Sequence, residues 1–353
     1  MPMTMFRRLV LVALTLCTAA LGGFAFQAMG LPLAFILGPM AGSALVANLV
    51  APMKGGRFLR RGGQLFVGAS IGAVLGPDVI AEFARLLPLM LAVAITSIFV
   101  GLALALPVAR IAGIDRLSAV LSCLPAGMAE MATLARELDA DEQAVAIIHT
   151  LRVIMVLTFI PLWLGLIARG GVAPVTPADA YDGAGDILAL VAVSGILAAA
   201  ATRLRVTNGW IIAPMLVSLA VVSFGHLLPP VPSPLLIAAQ IAIGASLGLR
   251  FRLDQMRKFP RIALAGLVSG LLLIGVAFIG LTWLVERYTD LDHVSAILAV
   301  APGGLGEMIA SATTLGLLAA AVAGFQMTRS LMTNLLAPPL IRWAVGPNRR
   351  NSG

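Results

Sequence analysis

Apolar runs of about 17–25 residues recur from one end of this chain to the other, the length an α-helix needs to cross the hydrocarbon core of a bilayer. Candidate spans fall near residues 9–26, 31–50, 63–80, 86–111, 117–136, 143–168, 186–203, 208–228, 234–249, 260–286, 293–315 and 317–345. In lipid, every backbone N–H and C=O must find its partner inside the protein, so only helices and closed barrels can span. A barrel strand alternates polar and apolar residues, and these runs do not. The expected fold is therefore an all-α polytopic membrane protein with about 10–12 transmembrane segments. Composition agrees: 60% of the residues are hydrophobic and 11% are charged, against about 25% charged in a soluble domain.

The chain carries a net charge of +8. Its basic residues gather in short connecting stretches such as KGGRFLRR (54–61) and RFRLDQMRKFPR (250–261). Lys and Arg in such places mark the cytoplasmic side of a membrane protein. The connections leave no room for a folded DNA-binding domain, so no direct nucleic-acid partner is expected. Cys17 and Cys123 both lie in apolar segments and read as small core residues rather than a disulfide or metal pair. The N-terminal FRRLVLVALTLCTAALGG has the charge and apolarity of a signal peptide, but is read as a retained first helix.

The stretch ARGGVAPVTPADAYDGAGD (168–186) divides the chain. The expected organisation is a first membrane repeat over 1–168, a linker over 169–185, a second repeat over 186–347 and a polar tail over 348–353. Four landmarks recur in the same order. LGPMAGSALVANL (37–49) matches IAPMLVSLAVVSF (212–224). GQLFVGASIG (63–72) matches AQIAIGASLG (239–248), pairing Gln64 with Gln240 and Ser70 with Ser246. LPAGMAEM matches APGGLGEM, pairing Pro125 with Pro302 and Glu130 with Glu307. Arg152 pairs with Arg329.

Basic residues fall on opposite sides in the two halves. Arg7, Arg8, Lys54, Arg57, Arg60, Arg61, Arg110 and Arg116 mark one side in the first. Arg203, Arg205, Arg250, Arg252, Arg257, Lys258 and Arg261 mark the other in the second. Opposite orientation of two homologous halves is the signature of inverted repeats.

Two motifs inside apolar runs carry the functional argument: CLPAGMAEM (123–131) and VAPGGLGEM (300–308). Proline removes a backbone donor and glycine weakens the helix further, so each motif predicts a broken helix. Freed backbone groups cost several kcal/mol each at membrane depth unless protein, water or a ligand satisfies them. Half-helix ends at the midplane can hold ions or polar solutes. The candidate site comprises Pro125, Gly127, Pro302, Gly303 and Gly304, which shape the breaks. Glu130 and Glu307 would bind a cation or proton. Arg152 and Arg329 would pair with those glutamates or bind an anionic solute. Gln64, Ser70, Gln240 and Ser246 are weaker candidates, because small-residue runs usually serve close helix packing. His149 precedes Arg152 by three residues and reads as a neutral hydrogen-bonding group or a relay member.

The duplicated unit, with GPM, GASIG, LPAGMAEM and APGGLGEM in this order, resembles the AbrB family of bacterial membrane proteins. Its members are labelled as transcriptional regulators or ammonia monooxygenases. The resemblance covers nearly the whole chain, and its layout is similar to that of sodium/bile-acid and cation/proton antiporter folds. A copper or di-iron oxygenase needs clustered ligands. His149, His226 and His293 are widely separated, so no metal, no cofactor and no catalytic residue is expected. No nucleotide-binding G-x-x-x-x-G-K-[ST] motif is present.

The sequence thus points to a multi-pass inner-membrane protein, a secondary transporter coupled to H⁺ or Na⁺. Its partners are the lipid bilayer, a small solute and a coupling ion, with a homo-oligomer left open. The alternative is a membrane regulator or sensor that affects gene expression indirectly.

Overall fold

The computed structural model describes residues 5–51, 56–72, 77–167, 184–204, 206, 208–226, 228 and 231–345. The described residues are almost wholly helical and include no strand. Most of the expected linker 169–185 and all of the expected tail 348–353 lie outside them.

In chain order the helices are α1 (Met5–Ala28), α2 (Ala34–Leu49), α3 (Gly56–Gly72), α4 (Pro77–Ala112), α5 (Arg116–Cys123), α6 (Met128–Glu137), α7 (Glu142–Ile167) and α8 (Ala184–Arg203). They continue with α9 (Gly209–Ser223), α10 (Ser233–Gly248), α11 (Leu253–Lys258), α12 (Pro260–Gly275), a π-helical stretch (Val276–Leu281), α13 (Thr282–Tyr288), α14 (His293–Val300), α15 (Leu305–Thr314) and α16 (Ala319–Val345). Six stretches are long and apolar enough to cross a membrane: Leu9–Ala28, Ala81–Ala112, Glu142–Ile160, Gly185–Arg203, Ser233–Lys258 and Pro260–Tyr288. With no strand among the described residues, this makes the chain an all-α polytopic membrane protein. The apolar helices α2 and α9 are shorter.

Several local expectations shift. The expected span 63–80 covers the end of α3 and the start of α4, and α4 runs on from Pro77 through Pro88 and Pro107. Arg57, Arg60 and Arg61 lie in the first turns of α3 rather than in a loop. Part of the basic stretch 250–261 forms α11. Cys123 is buried as expected, whereas Cys17 is exposed.

The chain folds into two compact units, each drawing on residues from both sides of the expected linker. One comprises Met1–Glu82, Ile160–Arg252 and Ile309–Ala320; the other comprises Phe83–Phe159, Leu253–Met308 and Ala321–Gly353.

In the first unit, α1 packs on α2, α2 on α10, α10 on α3, α3 on α9, and α9 on α8. Apolar helices in lipid gain little from hydrophobic burial against one another. They associate through close van der Waals contact, which small residues allow. Gly22 and Gly38 face each other so closely that a Cβ on either would lie 2.3 or 2.2 Å from the other's carbonyl oxygen. Gly68 and Gly72 of α3 meet the backbone of Ile211 and Met215 on α9 in the same way. Asn48 at the end of α2 donates from Nδ2 to Phe251 O at 2.7 Å, tying α2 to the chain beyond α10.

In the second unit, Gly101 brings α4 against the Cys123 carbonyl. Gly266 and Gly270 seat α12 on α7 from Ile148 to Met155. Asp115 caps α5, its carboxylate accepting from the Leu117 and Ser118 amides at 3.0 and 3.1 Å. Asp292 caps α14 by accepting from the Val294 and Ser295 amides, both at 3.0 Å. Each Asp also accepts from the hydroxyl of the Ser three residues on.

Two candidate broken helices and the side chains that satisfy them

Both predicted breaks are present. α5 stops at Cys123 and α6 starts at Met128, with Gly127 as its extended N-cap. α14 stops at Val300 and α15 starts at Leu305. The same tight turn crosses each proline: the Ala126 amide donates to Leu124 O at 2.9 Å, and the Gly303 amide to Ala301 O at 2.8 Å.

Each proline orphans one carbonyl. A helix bonds the amide of each residue to the carbonyl four before it, and proline has no amide hydrogen. Pro125 therefore leaves Leu121 O without its helical partner, and Pro302 does the same to Leu298 O. Side chains of the following helices fill both gaps. His149 Nε2 on α7 lies 2.9 Å from Leu121 O, and Gln326 Nε2 on α16 donates to Leu298 O at 2.7 Å. Gln326 Nε2 also reaches Ala301 O at 3.1 Å.

The arginines satisfy the next carbonyls along. Arg152 donates from Nη1 to Leu124 O at 3.2 Å and from Nη2 to Ala126 O at 3.4 Å. Arg329 donates from Nη1 to Val300 O at 3.2 Å and Ala301 O at 2.7 Å, and from Nη2 to Gly303 O at 3.0 Å. Within each helix the arginine also binds the residue three before it. Arg152 Nη2 lies 2.7 Å from His149 Nδ1, and Arg329 Nη2 donates to the Gln326 side-chain oxygen. These contacts fix the imidazole as the neutral tautomer with its proton on Nε2, donating to Leu121 O and accepting at Nδ1.

This corrects the expected Glu–Arg pairing. Both guanidiniums are held by backbone carbonyls and by one neutral side chain each. The physical reason is the breaks themselves: unpaired carbonyls at depth cost too much to leave, and the guanidinium fork can satisfy several at once. Glu130 and Glu307 instead sit in the first turns of α6 and α15. There a carboxylate complements the exposed amides and the positive end of the helix dipole. The Glu130 carboxylate folds back over Gly127, within 3.0–3.3 Å of where a Cβ would stand. Glu307 is buried.

The two breaks share one small cavity, with room for about one water molecule. Pro125 and Pro302 line it together with Ser97, Val276, Ala277 and Arg329. Val276 and Ala277 belong to the π-helical stretch, where Thr282 Oγ1 donates to Ala277 O five residues back at 3.0 Å. π-Helical turns are rare and occur often at functional sites.

The structure therefore brings Pro125, Gly127, Glu130, Arg152, Pro302, Gly303, Gly304, Glu307 and Arg329 into one unit. Gln64, Ser70, Gln240 and Ser246 belong to the other. There Ser70 and Ser246 donate to Val67 O and Ile243 O of their own helices at 2.9 and 2.7 Å. Gln64 and Gln240 are buried on α3 and α10. The sequence reading did not include Ser97, the π-helical stretch or the two Asp caps. The caps carried a usable signal, Asp-x-x-Ser at 115–118 and again at 292–295. Among the described residues, no three His, Cys, Asp or Glu side chains cluster as a metal would require.

Six helices long and apolar enough to cross a membrane, beside two helical stretches interrupted at Pro125 and Pro302 whose carbonyls are held by buried arginines, define a polytopic helical membrane protein. The chain belongs to the AbrB family: the family described as "Transition state regulatory protein AbrB" matches residues 43–345. It is 25% identical over 354 residues to "Uncharacterized protein YhjN" of Bacillus subtilis (strain 168), covering 92% of this chain and 90% of that protein. It is 26% identical over 330 residues to "Putative regulator AbrB" of Escherichia coli (strain K12), covering 90% of this chain and 92% of that protein.

Proposed function

We propose that this protein is a secondary transporter of a small solute in the bacterial inner membrane, with its site where the two broken helices meet. The observation that carries the reading is the shared cavity of Pro125 and Pro302, lined by the buried cation Arg329. A charged group and two interrupted backbones are expensive at membrane depth and mark solute or ion pathways. The hydrogen bonds of the two breaks also correspond at one offset. His149 to Gln326, Arg152 to Arg329, Leu121 to Leu298 and Leu124 to Ala301 are each 177 residues apart (326 − 149, 329 − 152, 298 − 121 and 301 − 124). Such correspondence, with the reversed distribution of Lys and Arg, supports inverted repeats that rock about a common centre. In this reading Glu130 and Glu307 take the coupling proton or Na⁺. No chemical transformation is assigned to the protein.

The test is access from both sides. Val300→Cys, in a background with Cys17 and Cys123 replaced, would be exposed to a membrane-impermeant thiol reagent in vesicles of each orientation. Labelling from both faces is expected of alternating access. Labelling from one face alone, or from neither, removes the transporter reading.

The names of the family and of the relative in E. coli support a second reading, regulation of gene expression. A chain of apolar helices would act there indirectly, through an exported solute or a membrane partner. One-sided access combined with ligand binding would favour that role.

A further inference from the structure

The first unit gathers positive charge at one end. Arg57, Arg60 and Arg61 stand three and four residues apart, on one face of the first turns of α3. Arg61 lies over the Trp210 ring at the start of α9, its guanidinium carbon 5.0 Å from the centroid. Trp210 Nε1 donates at 2.9 Å to Thr202 Oγ1, on the residue before Arg203 at the end of α8. Gly56 approaches Ser246, where a Cβ would lie 3.0 Å from the serine carbonyl oxygen, so the last turn of α10 reaches the same end and Arg250 and Arg252 follow it. From residue 1 to 77 and from 187 to 253 the chain carries no Asp or Glu. Like charges one helical turn apart repel, and these segments contain no carboxylate to offset them.

Depth and polarity narrow what could offset them. The apolar span Gly185–Arg203 ends on Arg203, which sets these groups at the level of the lipid headgroups. Arg57 and Arg203 are exposed. Each stands beside a large exposed apolar side chain, Phe58 at 84% and Leu204 at 78%. Trp210 is of the residue type that collects at membrane–water interfaces. Lys and Arg gather on the cytoplasmic side of membrane proteins, so this end faces the inner leaflet.

We propose that this end of the first unit binds the phosphodiester of an anionic phospholipid of the inner leaflet, with Arg57, Arg61 and Arg203 as its donors. Guanidinium and phosphate pair through two parallel N–H bonds, and juxtamembrane clusters of Lys and Arg attract anionic lipids. A soluble anion would leave Phe58 and Leu204 facing water, whereas a two-chain lipid lays its hydrocarbon beside them. A zwitterionic lipid would bring an ammonium group among charges of its own sign. Lipid binding there does not depend on transport.

The experiment is thermal unfolding of the purified full-length protein in micelles of an uncharged detergent carrying a rising fraction of phosphatidylglycerol. Phosphatidylcholine with the same chains, and inorganic phosphate at matched ionic strength, serve as comparisons. A ligand that binds only the folded protein raises the midpoint in a saturable way. The expected result is such a rise with phosphatidylglycerol and none with phosphatidylcholine or phosphate. Each basic group near an anionic surface is worth about fivefold in binding, so Arg57→Gln/Arg61→Gln/Arg203→Gln should need about a hundredfold more lipid for the same rise. Arg203→Gln alone leaves the contact of Arg61 with Trp210 in place and should need about fivefold more, in a protein as stable as wild type without lipid. Arg110→Gln/Arg116→Gln/Arg287→Gln removes the same charge from exposed positions of the other unit and should respond as wild type does.

An equal rise with phosphatidylcholine would reduce the effect to general solvation by lipid. A rise with inorganic phosphate alone would make the ligand a soluble anion. An unchanged response in the first triple variant and in Arg203→Gln would put the lipid elsewhere. An equal loss in the second triple variant would make the response a matter of net charge. Each of these overturns the proposal. None of them bears on access from the two faces, so the transport reading stands or falls separately.

Discussion

His149 supplies the hydrogen-bond donor that Pro125 lacks. The proline leaves Leu121 O without an amide from its own helix, and the imidazole Nε2 stands 2.9 Å from that oxygen. At the second break, Gln326 does for Pro302 what His149 does for Pro125. The pairing explains how a helix can be broken in the middle of an apolar run without exposing polar backbone to lipid.

Because Gln326 performs this role at the second break, His149→Gln should preserve it at the first. His149→Leu leaves both Leu121 O and one Arg152 donor without a partner, a loss of about 1–3 kcal/mol for each buried group left unsatisfied. Thermal unfolding in detergent should place His149→Gln near wild type and His149→Leu clearly below it. A His149→Leu protein as stable as wild type would rule out this substitution of donors.

The arginines should tolerate less. Arg152→Met removes the donors of Leu124 O and Ala126 O. Hydrogen bonds to charged groups contribute about 1.5–3 kcal/mol each, so the variant should be strongly destabilised. Arg152→Lys should recover only part of the loss, since one ammonium cannot reproduce the planar fork. A double-mutant cycle of Arg152→Met with His149→Leu should show coupling of about 0.5–3 kcal/mol, because the two side chains share one network. Strict additivity would contradict the shared hydrogen bond.

Asp115 and Asp292 should contribute equally to the half-helices they start. Replacing either by Ala should cost about 0.5–2 kcal/mol, whereas Asn should retain most of the cap. Comparing unfolding midpoints of the four single variants tests this. A large difference between the Asp115 and Asp292 pairs would mean that the two caps are not equivalent.

Close helix packing in the first unit is open to a simple contrast. A Cβ at position 38 would stand 2.2 Å from Gly22 O, a backbone atom that cannot move aside alone. Gly38→Ala should therefore lower stability by about 1–3 kcal/mol through overpacking. Gly62, also helical, has open space around its Cβ position, so Gly62→Ala should be neutral or gain up to about 1 kcal/mol from helix propensity. Equal midpoints for the two variants would refute the close contact.

Apolar length by itself determined that the chain is a bundle of membrane helices, and Pro-x-Gly by itself determined where two of them break. Both are local matters: a run either has the length and polarity to span or it does not, and a missing amide is missing in any fold. The Gln and Ser positions of GQLFVGASIG and AQIAIGASLG were visible as a repeated pattern. Their placement in the other unit, with the serines bonded to their own helices, was not. The partners of the broken backbone were likewise beyond the sequence. Spacing along the chain put Glu130 and Arg152 at similar depth and made an ion pair reasonable. Only the tertiary structure decided that Arg152 and Arg329 turn to carbonyls, because the choice depends on which unsatisfied group of the neighbouring helix each side chain meets. The carbonyls freed by Pro125 and Pro302 are the groups these side chains meet.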